Sequence, residues 1–142
     1  MLQVLRNLLS NALKFSLEDG CVEVSARQAA LRAGRRAGDL RVAGIEIRIT
    51  DAGIGIPEDE LEAVFDKFVQ SSKPKTGAGG TGLGLAICRE IVLAHHGSIR
   101  AEANPGRKAG TTFVVNLPLD GGQARRRQAA AVTAVVAAVE QV

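Results

Sequence analysis

The stretch Gly79-Gly80-Thr81-Gly82-Leu83-Gly84-Leu85-Ala86-Ile87 decides how this chain is read. A glycine-dense loop runs straight into an apolar segment of helical period. Backbone N–H groups are then exposed at a helix N-terminus, where the dipole favours a polyanion. Glycines let the backbone approach a ligand closely and take positive φ. The pattern points to a triphosphate, with a plain turn as the bland alternative.

Two other segments sharpen that reading. Asp51-Ala52-Gly53-Ile54-Gly55-Ile56-Pro57 follows the alternating run Ile45-Glu46-Ile47-Arg48-Ile49-Thr50. The run reads as a half-buried strand with Ile45, Ile47 and Ile49 on its apolar face. A carboxylate where the strand ends can accept a hydrogen bond from an exocyclic amine such as that of adenine. Gly53 and Gly55 leave room for a flat ring. Near the start, Asn7, Asn11 and Lys14 stand at spacings of four and three, so they share one helical face. Leu5, Leu8, Leu9 and Ala12 form the opposing apolar stripe. Carboxamide oxygens are hard ligands suited to Mg²⁺, and Lys14 adds a point charge for phosphate. Asparagine is a mediocre helix former, so two on one face call for a reason beyond solvation or capping.

Together, in this order, the segments resemble the ATP-binding domain of sensor histidine kinases, in the superfamily that also holds gyrase, heat-shock chaperone and mismatch-repair ATPases. Asn7 to Phe15 looks like the N box and Asp51 to Pro57 like the first glycine box. Phe65-Asp66-Lys67-Phe68 looks like the F box, and Gly80 to Leu85 like the second glycine box. His96-Gly97-Ser98-Ile99, Gly110-Thr111-Thr112-Phe113 and Leu117-Pro118 match the family's closing segment. The resemblance covers roughly residues 2–119. It implies a Bergerat-type ATP-binding fold with ATP and Mg²⁺ as cofactors. It also implies that this chain starts inside the N-box helix and so lacks its relatives' first elements, leaving apolar surface or a sheet edge exposed.

The resemblance assigns roles residue by residue. Asn11 would coordinate Mg²⁺, supported by Asn7 and Lys14. Asp51 would bind the adenine amine, and Gly53, Ile54, Gly55 and Ile56 would wall the pocket with Phe15 nearby. Gly80, Thr81, Gly82, Leu83 and Gly84 would hold the phosphates, and Thr111 joins the ATP-binding set. Residues 69–80 would form the lid, from which Gln70, Lys73 and Lys75 could reach phosphate. Relatives often carry arginine near Gln70, so a positive catalytic contact there is weakened. Asn7, Lys14 and Gln70 are the candidate catalytic groups.

In the hydrolytic members a glutamate four residues before the metal asparagine serves as general base. Here that position is Asn7, which cannot accept a proton near neutral pH. The site suits phosphoryl transfer, which relies on positioning and charge stabilisation. The resemblance implies as partners a histidine-containing dimerisation domain and the receiver domain of a response regulator. His95 and His96 fall at a helix end before Gly97, a structural pattern, so the chain alone is expected to bind ATP without autophosphorylating. A serine kinase of the anti-sigma-factor type and a non-catalytic nucleotide-binding remnant are the alternatives.

Composition fits one compact domain: 142 residues, 46% hydrophobic. Aromatics are only 3%, which argues for an aliphatic core and against nucleic-acid binding by stacking. The net charge of +3 permits an acidic partner; the arginines at 27, 32, 35, 36, 41 and 125–127 read as solvated surface. Cys21 and Cys88 are too few and too far apart for a zinc site and suggest a reducing, cytoplasmic setting. No run reaches the roughly 20 apolar residues of a membrane span.

The expected order is a helix over 2–16, strands near 21–28 and 42–50 joined by a connector at 29–41, and a short helix near 58–63. The lid follows, then a long helix over 82–96 and strands near 98–104 and 111–118. These combine into an α/β two-layer sandwich, a mixed but mainly antiparallel sheet with helices on one face. Residues 1–120 form the domain. Residues 121–142 read as a linker and tail, weakly helical or disordered.

Overall fold

The computed structural model of the chain describes residues 1–32, 41–66, 84–107, 109–119, 133 and 136–139. Helix α1 spans Leu2–Phe15 and buries Val4, Leu5, Leu8, Leu9 and Ala12 as one stripe, as apolar residues at three- and four-residue spacing dictate. Helix α2 spans Gly84–Ala94 and buries Ala86, Cys88 and Val92.

Four strands form one sheet: β1 (Glu23–Arg32), β2 (Arg41–Thr50), β3 (Ser98–Ala103) and β4 (Thr111–Pro118), in the order β1-β2-β4-β3. Every described pairing is antiparallel. The mixed sheet expected from sequence is corrected here for a topological reason. β2 and β3 do run in the same direction, with α2 between them in the chain. The β3–β4 hairpin, however, places β4 in the gap between them, so no parallel ladder forms among the described strands.

The register assigns the faces. Ile45, Ile47 and Ile49 of β2 stand opposite Leu117, Val115 and Phe113 of β4, and Ile99 of β3 opposite Val115. These residues share the core with the buried stripes of α1 and α2. Phe113 meets Phe65 edge to face at 6.1 Å between ring centroids. The alternate residues face outward and carry an ion-pair lattice. Glu46 accepts from Arg27 at 2.8 Å and Arg48 at 3.4 Å, and Glu102 accepts from Arg48 and Arg100, each at 2.7 Å. Burial pushes the Glu102 carboxyl up, but the guanidiniums of Arg100 and Arg48 outweigh it and hold the group below its ordinary value.

Three expectations shift in detail. β1 runs to Arg32, because Ala29, Ala30 and Leu31 continue the ladder opposite Gly44, Ala43 and Val42. The connector shrinks accordingly, and residues 33–40 lie outside the described set. The helix expected near 58–63 is two single 3₁₀ turns, Glu58–Glu60 and Ala63–Phe65; Val64 and Phe65 are buried and tie the second turn to the core. α2 ends at Ala94, and the left-handed cap position falls on His96 at φ 59 rather than on Gly97. Gly97 is needed for another reason: a Cβ there would strike the Asn116 carbonyl oxygen. In the tail, residues 136–139 are helical and Ala138 is buried in the core cluster.

Ile47→Ala should lower the unfolding free energy by about 2–5 kcal/mol, the usual cost of a buried isoleucine truncation. Arg100→Ala on the outer lattice should cost less than about 1 kcal/mol. Urea unfolding of both variants checks the contrast.

Candidate functional site

Asp51 follows the last residue of β2 and is only 5% exposed. Its Oδ1 accepts two backbone hydrogen bonds, from Gly53 N at 2.9 Å and Thr111 N at 3.2 Å. Its own N–H donates to the Thr111 carbonyl at 3.0 Å. The carboxylate is thus clamped between its own loop and the first residue of β4. Asn104 adds a second clamp: Nδ2 donates to the Asp51 carbonyl at 2.7 Å and the Ala109 carbonyl at 2.8 Å, while Oδ1 accepts from Thr112 Oγ1 at 2.8 Å. Gly110, at φ 106, lies so close that a Cβ would strike the Asp51 carbonyl oxygen.

The end of α1 meets the same loop. Ser16 and Gly53 form an antiparallel bridge, and a Cβ on Gly53 would collide with the Phe15 carbonyl oxygen. Phe15, Gly53, Asp51 and Thr111 are therefore brought together by backbone contact. Ile54 and Ile56 are half-buried beyond them, and Gly55 takes φ 74. Along α1, Asn7 and Asn11 are half-buried and Lys14 is exposed. Asn7 lies about 12 Å from Phe15 at 1.5 Å per residue, so the helix stretches from the Asp51 loop to the neighbourhood of α2. There the Cys88 thiol donates to the Val4 carbonyl oxygen at 3.8 Å. Gly84 begins the described part of α2 with open space where a Cβ would stand. Gly80, Thr81, Gly82, Leu83, Gln70, Lys73 and Lys75 lie outside the described residues.

The site fits both expected groups in chemical kind. For a purine, there is a buried carboxylate whose two backbone bonds fall on one oxygen, beside a backbone surface left bare by Gly53. For Mg²⁺, the oxygens available are the carboxamides of Asn7 and Asn11, which suit a hard cation that keeps most of its water. Among the described residues, no group of three or more His, Cys, Asp or Glu could hold a metal.

Arg89 of α2 pairs with Glu62 and lies 5.5 Å from the Phe65 ring centroid, tying the F-box segment to α2. His95 Nδ1 lies 2.7 Å from the Ile91 carbonyl, at the helix end. Sequence reasoning missed Asn104, Gly110, Thr112, Cys88 and Arg89 as contributors. The Asn104-Pro105-Gly106 run signals a turn but carries no hint that the turn folds back onto Asp51, 53 residues earlier.

The fold, an antiparallel four-stranded sheet packed against α1 and α2, is an α/β sandwich. Residues 1–121 match the family described as histidine kinase-, DNA gyrase B-, and HSP90-like ATPase, and the chain belongs to that family. It is 40% identical over 119 residues to the sensor-like histidine kinase SenX3 of Mycolicibacterium smegmatis, covering 83% of this chain and 27% of that protein. Among solved structures, it matches the mycobacterial sensor histidine kinase MprB with a TM-score of 0.64 and 36% identity, over 82% of this chain and 68% of that one. It also matches full-length ShkA in complex with AMPPNP, with a TM-score of 0.60 and 28% identity, over 82% of this chain and 20% of that one. The chain thus spans about a quarter of the length of SenX3.

Burial pushes the Asp51 carboxyl above its ordinary value, with the Gly53 and Thr111 N–H groups pulling it partly back. A raised folded-state value means that ionising Asp51 costs the fold. Its contribution to stability is full below the unfolded value, about 3.9, and is lost as pH rises through the folded value. Asp51→Asn keeps an oxygen for the two N–H groups and drops the charge. Without nucleotide, its melting temperature at pH 7 should equal or exceed the wild type's by up to a few degrees. The gap should close toward pH 4. Thermal melts across that range check it.

Proposed function

We propose that the chain binds Mg²⁺–ATP and is the catalytic part of a protein-histidine kinase, donating the γ-phosphoryl group to a histidine on a separate helical dimerisation domain. A receiver-domain aspartate of a response regulator then takes the phosphate. The observation that carries this reading is the Asp51 carboxylate, held at the end of the central strand by Gly53 and Thr111. A buried acceptor with both backbone bonds on Oδ1 has Oδ2 for the exocyclic amine of adenine. Family membership and the match to an AMPPNP complex support the nucleotide.

The chain's own groups divide the work. Gly53, Ile54, Gly55, Ile56 and Phe15 wall the base, with Thr111 beside Asp51. Asn11 holds the metal through its carboxamide oxygen, supported by Asn7, and Lys14 brings positive charge. Gly80 to Gly84 would offer backbone N–H groups to phosphate oxygens, and Lys73, Lys75 and Gln70 would add side-chain donors. Magnesium supplies neutralisation of the phosphate charge when bound. Asn7 stands where hydrolytic relatives place a carboxylate base, and a carboxamide abstracts no proton from water at neutral pH. Transfer to an incoming imidazole is favoured over hydrolysis for that reason. His95 and His96, held at the α2 terminus, are not the acceptor. This composition and chemistry suit a cytoplasmic setting.

Mixing the chain with a dimeric histidine-bearing helical domain and γ-labelled ATP should yield acid-labile phosphate on that domain. Acid-stable phosphoserine on a regulatory protein would instead favour an anti-sigma-type serine kinase. Nucleotide binding with no transfer would favour a binding module. Asp51→Asn should weaken ATP-analogue binding by about 1–3 kcal/mol, and Asn11→Ala should abolish the magnesium dependence; calorimetry with and without EDTA reads both. Unchanged affinity in the first would remove the adenine assignment, and retained metal dependence in the second would remove the magnesium assignment.

A further inference from the structure

The pairing of β2 with β4 runs as far as Thr50 opposite Thr112. The next pair is Asp51 and Thr111, and one half of it is made: the Asp51 N–H donates to the Thr111 carbonyl at 3.0 Å. A hydrogen-bonded antiparallel pair exchanges both bonds, so the Thr111 N–H is due at the Asp51 carbonyl. It goes instead to Asp51 Oδ1, at 3.2 Å. The carboxylate has taken the donor that the ladder would use.

A carbonyl left unpaired in a buried place is costly, and Asn104 makes good the loss. Its Nδ2 lies 2.7 Å from the Asp51 carbonyl oxygen and 2.8 Å from that of Ala109. Both of these only accept, which fixes the NH₂ toward them and Oδ1 toward Thr112 Oγ1, 2.8 Å away. The Thr112 hydroxyl spends its one proton there, so Thr50 Oγ1, at 3.0 Å, is the donor to Thr112 Oγ1. Every contact in this run therefore has one direction. Gly110 leaves the amide its path: a Cβ there would strike the Asp51 carbonyl oxygen and stand 2.8 Å from Asn104 Nδ2. Asn104 and Thr112 are both buried, where such bonds compete little with water.

We propose that Asn104 is a positioning residue for base recognition: its amide stands in for the ladder donor at the Asp51 carbonyl and so releases the Thr111 N–H to hold the carboxylate that reads the adenine amine. The inference rests on the Mg²⁺–ATP reading above. Asn104 touches no part of the nucleotide in this account. It acts through the choice that the Thr111 N–H makes between two oxygens of one residue.

Variants of the full chain test it. In Asn104→Ala the orphaned Asp51 carbonyl should reclaim the Thr111 N–H, closing the ladder by one more pair and leaving Oδ1 with the Gly53 bond alone. NMR of labelled, nucleotide-free protein reads this directly. The through-hydrogen-bond coupling of the Thr111 nitrogen should run to the Asp51 side-chain carboxyl carbon in the wild type and to the Asp51 backbone carbonyl carbon in the variant. Thr112→Val removes the hydroxyl that orients the amide and should move the coupling the same way; Thr112→Ser keeps the hydroxyl and should match the wild type. In calorimetry with magnesium and non-hydrolysable analogues of ATP and ITP, the wild type's preference for adenine, at least about tenfold, should fall to about threefold or less in Asn104→Ala. The ITP analogue should bind as well as before. A loss of stability alone would weaken both analogues alike and leave the preference intact. Thermal melts establish folding, and Thr112→Val takes the place of Asn104→Ala in both measurements if the latter does not fold. A folded variant that keeps the coupling to the carboxyl carbon, or the wild type's base preference, overturns the proposal. If the wild type binds neither analogue, the Mg²⁺–ATP reading falls, and the coupling alone then decides whether Asn104 positions the carboxylate.

Discussion

The buried Asp51 carboxylate is the constraint around which the rest is arranged. Four parts of the chain converge on this residue: the end of β2, the start of β4 through Thr111, the 104–110 turn through Asn104, and the end of α1 through Gly53. Burying a charge is unfavourable unless hydrogen bonds offset it. Here two backbone N–H groups on Oδ1 offset part of that cost, and the raised proton affinity of the carboxyl measures the remainder. A structure selected for stability alone would place a neutral group there. A carboxylate kept at such a cost marks a candidate functional position, since local rules are typically broken where function demands it.

The remaining architecture supplies rigidity around that point. The aliphatic faces of β2 and β4 interlock under both helices. The aromatic pair Phe65 and Phe113 locks the F-box segment onto the sheet. Arg89 spans from α2 to Glu62 and Phe65. On the outer face Arg27, Arg48 and Arg100 share the carboxylates of Glu46 and Glu102, linking β1 to β2 and β2 to β3. One end of α1 meets the Asp51 loop through the Ser16–Gly53 bridge and the other meets α2 through Val4 and Cys88, so that single helix spans the two.

Much of this was legible in the residues themselves. Alternation in 45–50 and the stripe Leu5, Leu8, Leu9 and Ala12 named the core faces, because pleat and helix periods leave direct marks on sequence. Asp51 was legible as a strand-end carboxylate beside glycines. The length of β1 was not, because Ala29 and Ala30 carry no strand preference and owe their conformation to the partners opposite them in β2. The sheet's wholly antiparallel pairing was not either, since strand order is a long-range outcome. The contributions of Asn104, Gly110 and Cys88 depend on contacts between residues far apart in the chain, such as Asn104 to Asp51 and Cys88 to Val4. No local pattern encodes them. His96 in the left-handed cap position hid behind the more familiar Gly97.

The most direct test of the central claim compares adenine with hypoxanthine. Calorimetry of the wild-type chain with magnesium and non-hydrolysable analogues of ATP and ITP isolates the exocyclic amine, since inosine carries a carbonyl oxygen in its place. If Asp51 reads that amine, the ATP analogue binds and the ITP analogue binds at least about tenfold more weakly, a difference of about 1.4 kcal/mol or more. Equal affinity for the two, or no heat from either on folded protein, would contradict the account.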